Sequence, residues 1–171
     1  HTNLDDTEVY TRVKETIKPF VSSPYTVEEG ENKYEVISFS LPITTNGTDF
    51  NGIVGAELYA DYFNTLIGEA TREIGTCGLV TDNGEIISYG TDYVYEGKKI
   101  ESYLNDDLLK KYNEAKSTGN TVSSLNYSGK LYCFSPVRIP DTDISWVFLT
   151  EIPVEGMMKE VNTFMSVMII I

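Results

Sequence analysis

Histidine is nearly missing from this chain of 171 residues: the only one is His1. A Ser-His or Cys-His dyad therefore has no base, and a histidine-based metal site has no ligands. No Gly-x-x-x-x-Gly-Lys occurs and the glycines follow no dinucleotide pattern, so phosphate-loop and Rossmann chemistry are not signalled. Basic residues are scarce, 13 Lys and Arg against 26 Asp and Glu, and the net charge of −13 argues against nucleic acid or an anionic membrane surface as partner. Small polar ligands remain open. Two cysteines, Cys77 and Cys133, are too few for a disulfide framework; free buried thiols are expected, with a single bridge as the alternative. Asp82-Asn83-Gly84-Glu85 looks superficially like a calcium loop, but it lacks further acids at alternate positions and reads as a turn. No cofactor or metal is called for, and no enzyme is expected, although spacing alone leaves an acid pair for glycoside hydrolysis open. Asn46-Gly47-Thr48 and Asn126-Tyr127-Ser128 are sequons of the kind that arise by chance.

Long apolar runs are absent too. The best, Phe164 to Ile171, falls short of the ~20 residues that span a bilayer. It is apolar all round rather than on one stripe, however, and it stands at the end of the chain. It therefore reads as the first turns of a membrane helix in preference to a docked core helix. The chain opens at His1 without a methionine, so a segment of a longer polypeptide is expected, with any signal or anchor ahead of it out of view.

What is present, 41% apolar and 12% aromatic residues, suits a folded domain. The most informative stretch is Gly129 to Pro153, two strands folded back through Pro140-Asp141-Thr142-Asp143. The first arm alternates Leu131, Cys133 and Val137 with Tyr132 and Phe134; the second alternates Ile144, Trp146 and Phe148 with Val147 and Leu149. Apolar residues on both faces place the hairpin mid-sheet, with Ile144 to Glu151 as the central strand. Upstream, Leu4 to Phe20 reads as a helix ended by Pro19. Ser22 to Tyr25 reads as an extended connector, and Glu28 to Asn32 as a charged loop. Tyr34 to Ile43, ended by Pro42, and Phe50 to Tyr59 alternate as strands, with Gly52 and Gly55 allowing close approach of a backbone or ligand. Asp61 to Ile74 is a helix with Phe63, Leu66, Ile67, Ala70 and Ile74 inward, stopped by Gly75.

From Cys77 the order is strand, Asn-Gly turn, strand, an irregular segment over Tyr93 to Ser102, a helix capped by Asn105, then Thr121 to Tyr127 and the opening hairpin. That order predicts an α+β fold around a mostly antiparallel five-stranded sheet. A ligand pocket is expected between this sheet and Gly90 to Ser102, with Tyr89, Tyr93, Tyr95, Tyr132 and Arg138 as liners, since tyrosine offers an apolar face and a hydroxyl together.

The succession Ser23-Pro24-Tyr25, Ser38-Phe39-Ser40-Leu41-Pro42-Ile43, Gly52-Ile53-Val54-Gly55-Ala56-Glu57-Leu58, Leu79 to Ile87, Gly97-Lys98, and Phe134-Ser135-Pro136-Val137 ahead of Trp146 resembles the double Cache, PAS-like sensor domains of bacterial chemoreceptors and sensor kinases. The resemblance covers nearly the whole chain. It implies that residues 1–75 are an N-terminal long helix and the latter part of a membrane-distal PAS-like module, 76–153 a membrane-proximal one, and 154–171 a helix leading into a transmembrane segment. It implies that the first part of the distal module lies outside this chain, and that the receptor is a membrane-anchored homodimer.

Amino-acid-binding members of that family grip the ligand ammonium with a Tyr after Pro, an Asp two residues later, and an Asp after the Gly-Val-Val-Gly strand. Tyr25 and Glu57 stand at two of these positions, while Val27 replaces the first Asp. The resemblance therefore implies extracytoplasmic sensing of an amino acid, amine or organic acid. The alternatives are a surface interaction or dimerisation module without a ligand, and a carboxylate-dependent hydrolase.

Overall fold

The computed structural model describes residues 8–91, 97–125 and 129–155. The first helix, α1, runs Glu8–Thr16 with Val13 fully buried. It is shorter than its apolar stripe suggests, because Ile17 turns left-handed (φ 51°) just ahead of Lys18-Pro19, where proline already disfavours the helical region for its predecessor. Phe20–Val21 thus leaves the helix and becomes strand β1.

The next correction is larger. Tyr25–Glu29, read as connector and charged loop, is strand β2, paired antiparallel with β3 (Asn32–Thr45) across a turn at Gly30-Glu31. The acids of this segment misled because only alternate residues face inward. Strand β3 also runs through Pro42: β1 reaches only as far as Ser40, so at Pro42 the strand has β4 as its single neighbour and the missing N–H costs little. Strand β4 (Asp49–Tyr59) lies on the other side of β3, completing a four-stranded sheet in which β4 pairs with no second strand among the described residues.

Helix α2 (Ala60–Ile74) follows at once. It buries Phe63 and Ile67, but Leu66 and Ile74, expected inward, are 44% and 50% exposed, because the stripe that meets the rest of the molecule is narrower than the run of apolar residues. Gly75 closes it at φ 134°, and a Cβ there would sit 2.5 Å from the Glu151 carbonyl oxygen, so only glycine lets the helix end against that strand.

The second sheet has the expected five antiparallel strands: β5 (Thr76–Val80), β6 (Ile86–Tyr89), β7 (Val122–Leu125), β8 (Lys130–Arg138) and β9 (Ser145–Pro153), in the order β6-β5-β9-β8-β7. Strand β9 is central, as its two apolar faces require. Trp146 and Val147 are 5% and 0% exposed, on opposite faces. Helix α3 (Asp106–Thr118) covers one face, capped by the Asn105 side chain, which accepts from Leu108 N–H at 3.0 Å, and closed by left-handed Gly119 (φ 68°). Such a cap is worth about 1 kcal/mol.

Two cores result. Under α3, Val80, Ile86, Ile100, Leu108, Tyr112, Phe134, Val147 and Leu149 pack together. On the other face Trp146 joins Val21, Ile37, Phe63, Ile67, Cys77, Leu79 and Ile87, so this core is shared between α2, the first sheet and the second. Cys77 and Cys133 both pair with Thr150 from opposite sides of β9, two strand spacings or about 9.5 Å apart, beyond disulfide reach, and both are free. Among the described residues no helix is long and apolar enough to cross a membrane; Val154 and Glu155 are helical, and the expected membrane helix falls outside the described residues.

Candidate ligand-binding site

Strand register gathers the functional side chains of the first sheet. Tyr25 lies opposite Val36, Val36 opposite Tyr59, Ser38 opposite Glu57, and Val27 opposite Tyr34, so all seven stand on one face. The Tyr25 side chain reaches across β3: its hydroxyl donates to Glu57 Oε1 at 2.7 Å and lies 2.6 Å from Ser38 Oγ. Ser38 Oγ itself is 3.4 Å from the same carboxylate oxygen. The Ser38 backbone N–H is held by Ser22 Oγ at 2.9 Å, which ties the site strand to the connector ahead of Tyr25. That connector reaches the second sheet, since Asn83 Nδ2 donates to Ser23 Oγ at 2.8 Å.

Burial is the main cause that raises the Tyr25 hydroxyl above the ordinary tyrosine value; the Ser38 bond opposes it, and the Glu57 carboxylate adds to it. Tyr25 thus keeps its proton and remains a donor to Glu57. Glu57 is exposed to solvent. Gly55, expected to admit a ligand, instead lies tight against its own sheet partner: a Cβ there would meet the Phe39 carbonyl oxygen at 2.4 Å.

The residues proposed for the second sheet are placed differently. Tyr132 is 8% exposed and belongs to the core under α3, with Tyr89 packed at its edge and ringed to Tyr103 at 5.7 Å. Ile100, from the segment expected to roof a pocket, is fully buried in that core. Arg138 is exposed at the far end of β8, beside Gly119, about 20 Å along the strand from Tyr132. Tyr93 and Tyr95 lie outside the described residues. The structure therefore brings Tyr25 and Glu57 together, places Tyr89 and Tyr132 around one core, and leaves Arg138 apart.

Glu151 was not singled out in the sequence, yet it is 7% exposed on β9, accepting from Lys130 Nζ at 2.8 Å and from the Tyr132 hydroxyl at 3.1 Å. Alternation gave only its face, shared with Val147 and Leu149. Burial raises its pKa above the usual carboxylate value, outweighing Lys130, whose side chain is 46% exposed and therefore screened. A carboxyl that binds its proton more tightly folded than unfolded stabilises most below the ordinary value of 4.5 and loses that contribution as pH rises through the folded pKa. Replacing Glu151 with Gln is expected to flatten this decline. Unfolding free energies from pH 4 upward would show it, and parallel curves for the two proteins would refute it.

No family model and no curated protein sequence matches the chain. Solved structures do. The periplasmic sensory domain of the Campylobacter jejuni chemoreceptor Tlp1 superposes with a TM-score of 0.68 at 15% identity, covering 88% of this chain and 56% of that one. The chain has the fold of a Cache-like sensor domain. The extracellular domain of the putative histidine kinase mmHK1S-Z3 is similar to it, with a TM-score of 0.67, 21% identity, and coverage of 95% and 59%. So is the ligand-binding domain of the Pseudomonas aeruginosa PAO1 amino acid chemoreceptor PctC, solved in complex with GABA, with a TM-score of 0.59, 16% identity, and coverage of 86% and 60%. The chain spans a little over half the length of these sensor domains.

Proposed function

We propose that this chain is part of the extracytoplasmic, ligand-sensing region of a transmembrane signalling receptor, and that the Tyr25–Ser38–Glu57 cluster receives the ammonium group of a small amine or amino acid. The observation that carries the reading is the cluster itself: a solvent-facing carboxylate, oriented by a tyrosine and a serine from two neighbouring strands, on the sheet of a sensor fold. In this reading residues 1–75 are the latter part of a distal module whose remaining strands add to the free edge of β4, residues 76–153 are the proximal module, and the receptor is a membrane-anchored homodimer. The Tyr89 and Tyr132 surroundings serve as structure or as a second, proximal site. A ligand-free interaction module is the rival, favoured by the exposed Leu41, Ile43 and Val54 beside that edge.

Thermal unfolding of the intact protein in the presence of amines, amino acids and organic acids separates the two. A ligand at about a hundred times its Kd stabilises the folded state by about 2.7 kcal/mol. At least one amine is expected to do so, with Glu57→Gln losing the effect; no shift with any member of the panel would leave the interaction module standing.

A further inference from the structure

We propose that Asn83, in the turn between β5 and β6 of the second sheet, is a positioning residue for Tyr25 and acts through Ser23. This rests on the reading above for what the site holds, and adds what controls it. Val36 pairs with both Tyr25 and Tyr59, and Phe39 with both Val21 and Ala56, so β1 and β2 follow one another along the side of β3 away from β4. Ser22 keeps that register: its N–H donates to the Ser38 carbonyl at 3.0 Å, and its Oγ accepts from the Ser38 N–H at 2.9 Å. Ser23 and Pro24 then stand against Ile37 alone, which makes them a bulge with one extra residue. That residue decides the site. In unbroken register Pro24 would oppose Val36, and Tyr25 would fall on the other face of the sheet, away from Glu57.

The bulge is held from outside its own sheet. Pro24 is buried, fixes its own φ and biases Ser23 toward the extended region, so the Ser23 hydroxyl has little freedom. That hydroxyl accepts from Asn83 Nδ2 at 2.8 Å. Asn83 is prepared for the bond. Its Oδ1 accepts from the Glu85 N–H at 3.2 Å and from the hydroxyl of fully buried Thr81 at 2.5 Å, which turns the amide nitrogen toward Ser23, with Glu85 Oε2 at 3.5 Å on its other side. Lys99 Nζ donates to the Asn83 carbonyl at 3.2 Å, and Lys116 of α3 donates to the Asp82 carbonyl, so the turn moves with the second sheet and its helix. Coupling through Asn83 and Ser23 is reciprocal: loosening the turn lowers the fraction of molecules with Tyr25 on Glu57, and engaging Tyr25 tightens the turn.

NMR of the intact protein with ring-labelled tyrosine follows Tyr25 without any ligand. Burial is the main cause that raises its titration. By loosening the bulge, Ser23→Ala and Asn83→Ala are each expected to bring Tyr25 down toward the ordinary tyrosine value, with tyrosines elsewhere in the chain unmoved. The double variant is expected to do no more than either alone, since both remove one bond, and Ser23→Thr, which keeps the hydroxyl, to retain the original titration. In the reverse direction, Ser23→Ala is expected to quicken deuterium exchange at the Glu85 N–H by about fivefold, the size of one ordinary hydrogen bond. An unmoved Tyr25 in Ser23→Ala, or a shift shared by tyrosines throughout the chain, overturns the positioning role. Ser23→Ala leaves the turn untouched, so it decides the matter even where Asn83→Ala fails to fold. The readout needs no amine: an unmoved Tyr25 leaves the amine reading intact, and an amine panel without a hit leaves the Asn83 contact standing.

Discussion

Replacing Trp146 with alanine is expected to lower the free energy of unfolding by about 3–5 kcal/mol, the range for deleting a large buried aromatic. Trp146 is 5% exposed and lies edge-on to Phe39 at 6.2 Å and to Phe63 at 5.8 Å. Those rings come from β3 of the first sheet and from α2, so one side chain on the central strand of the second sheet closes the core that both sheets share. Val147, its neighbour on the opposite face, belongs to the core under α3, and Val147→Ala removes fewer atoms; it should cost clearly less. Chemical denaturation measures both, and a Trp146→Ala loss under about 1 kcal/mol would show that the shared core collapses around the gap.

The second large effect is on signal output. On the proposed receptor function, a Gly-Ser insertion between Glu151 and Glu155 is expected to abolish signalling while leaving ligand binding unchanged. Strand β9 runs to Pro153, still paired with Lys130, and the next residue, Val154, is helical with its N–H bonded to the Gly129 carbonyl at 2.9 Å. No slack separates the central strand from the helix that follows. A shift of the sheet must therefore move the helix start, the kind of small displacement by which many receptors switch. The ligand can bias that shift only by its differential affinity for the two positions. Normal signalling by the insertion variant would mean that the message leaves elsewhere.

Much of the second sheet was legible, because its strands obey period-2 alternation and Asn105 and Gly119 mark the ends of α3 in their own chemistry. The first sheet was harder. Tyr25–Glu29 hides its pattern behind exposed acids, since a strand at the rim of a sheet buries only one residue in two and even those in part. Leu66 and Ile74 show the converse: apolar residues at helical spacing point inward only where something lies opposite. The Tyr25–Glu57 bond joins residues 32 apart, a pairing no local periodicity encodes; family resemblance put both on the same ligand, and register explains how they meet. Glu151 needed the structure for its burial, because alternation assigns a face and not a depth.

The side of β4 that no described strand covers has a consequence for how the polypeptide must be handled. Eleven residues of strand, Asp49–Tyr59, carry no lysine and no proline to discourage an incoming chain, and Val54, half exposed, stands beside an equally bare Leu41. Natural sheets guard such borders with charge, bulges or a covering element. Among the described residues nothing covers this border, so it is open to an extended segment of a sibling molecule. Pairing within one polypeptide then competes with encounters between two, which makes dilution protective.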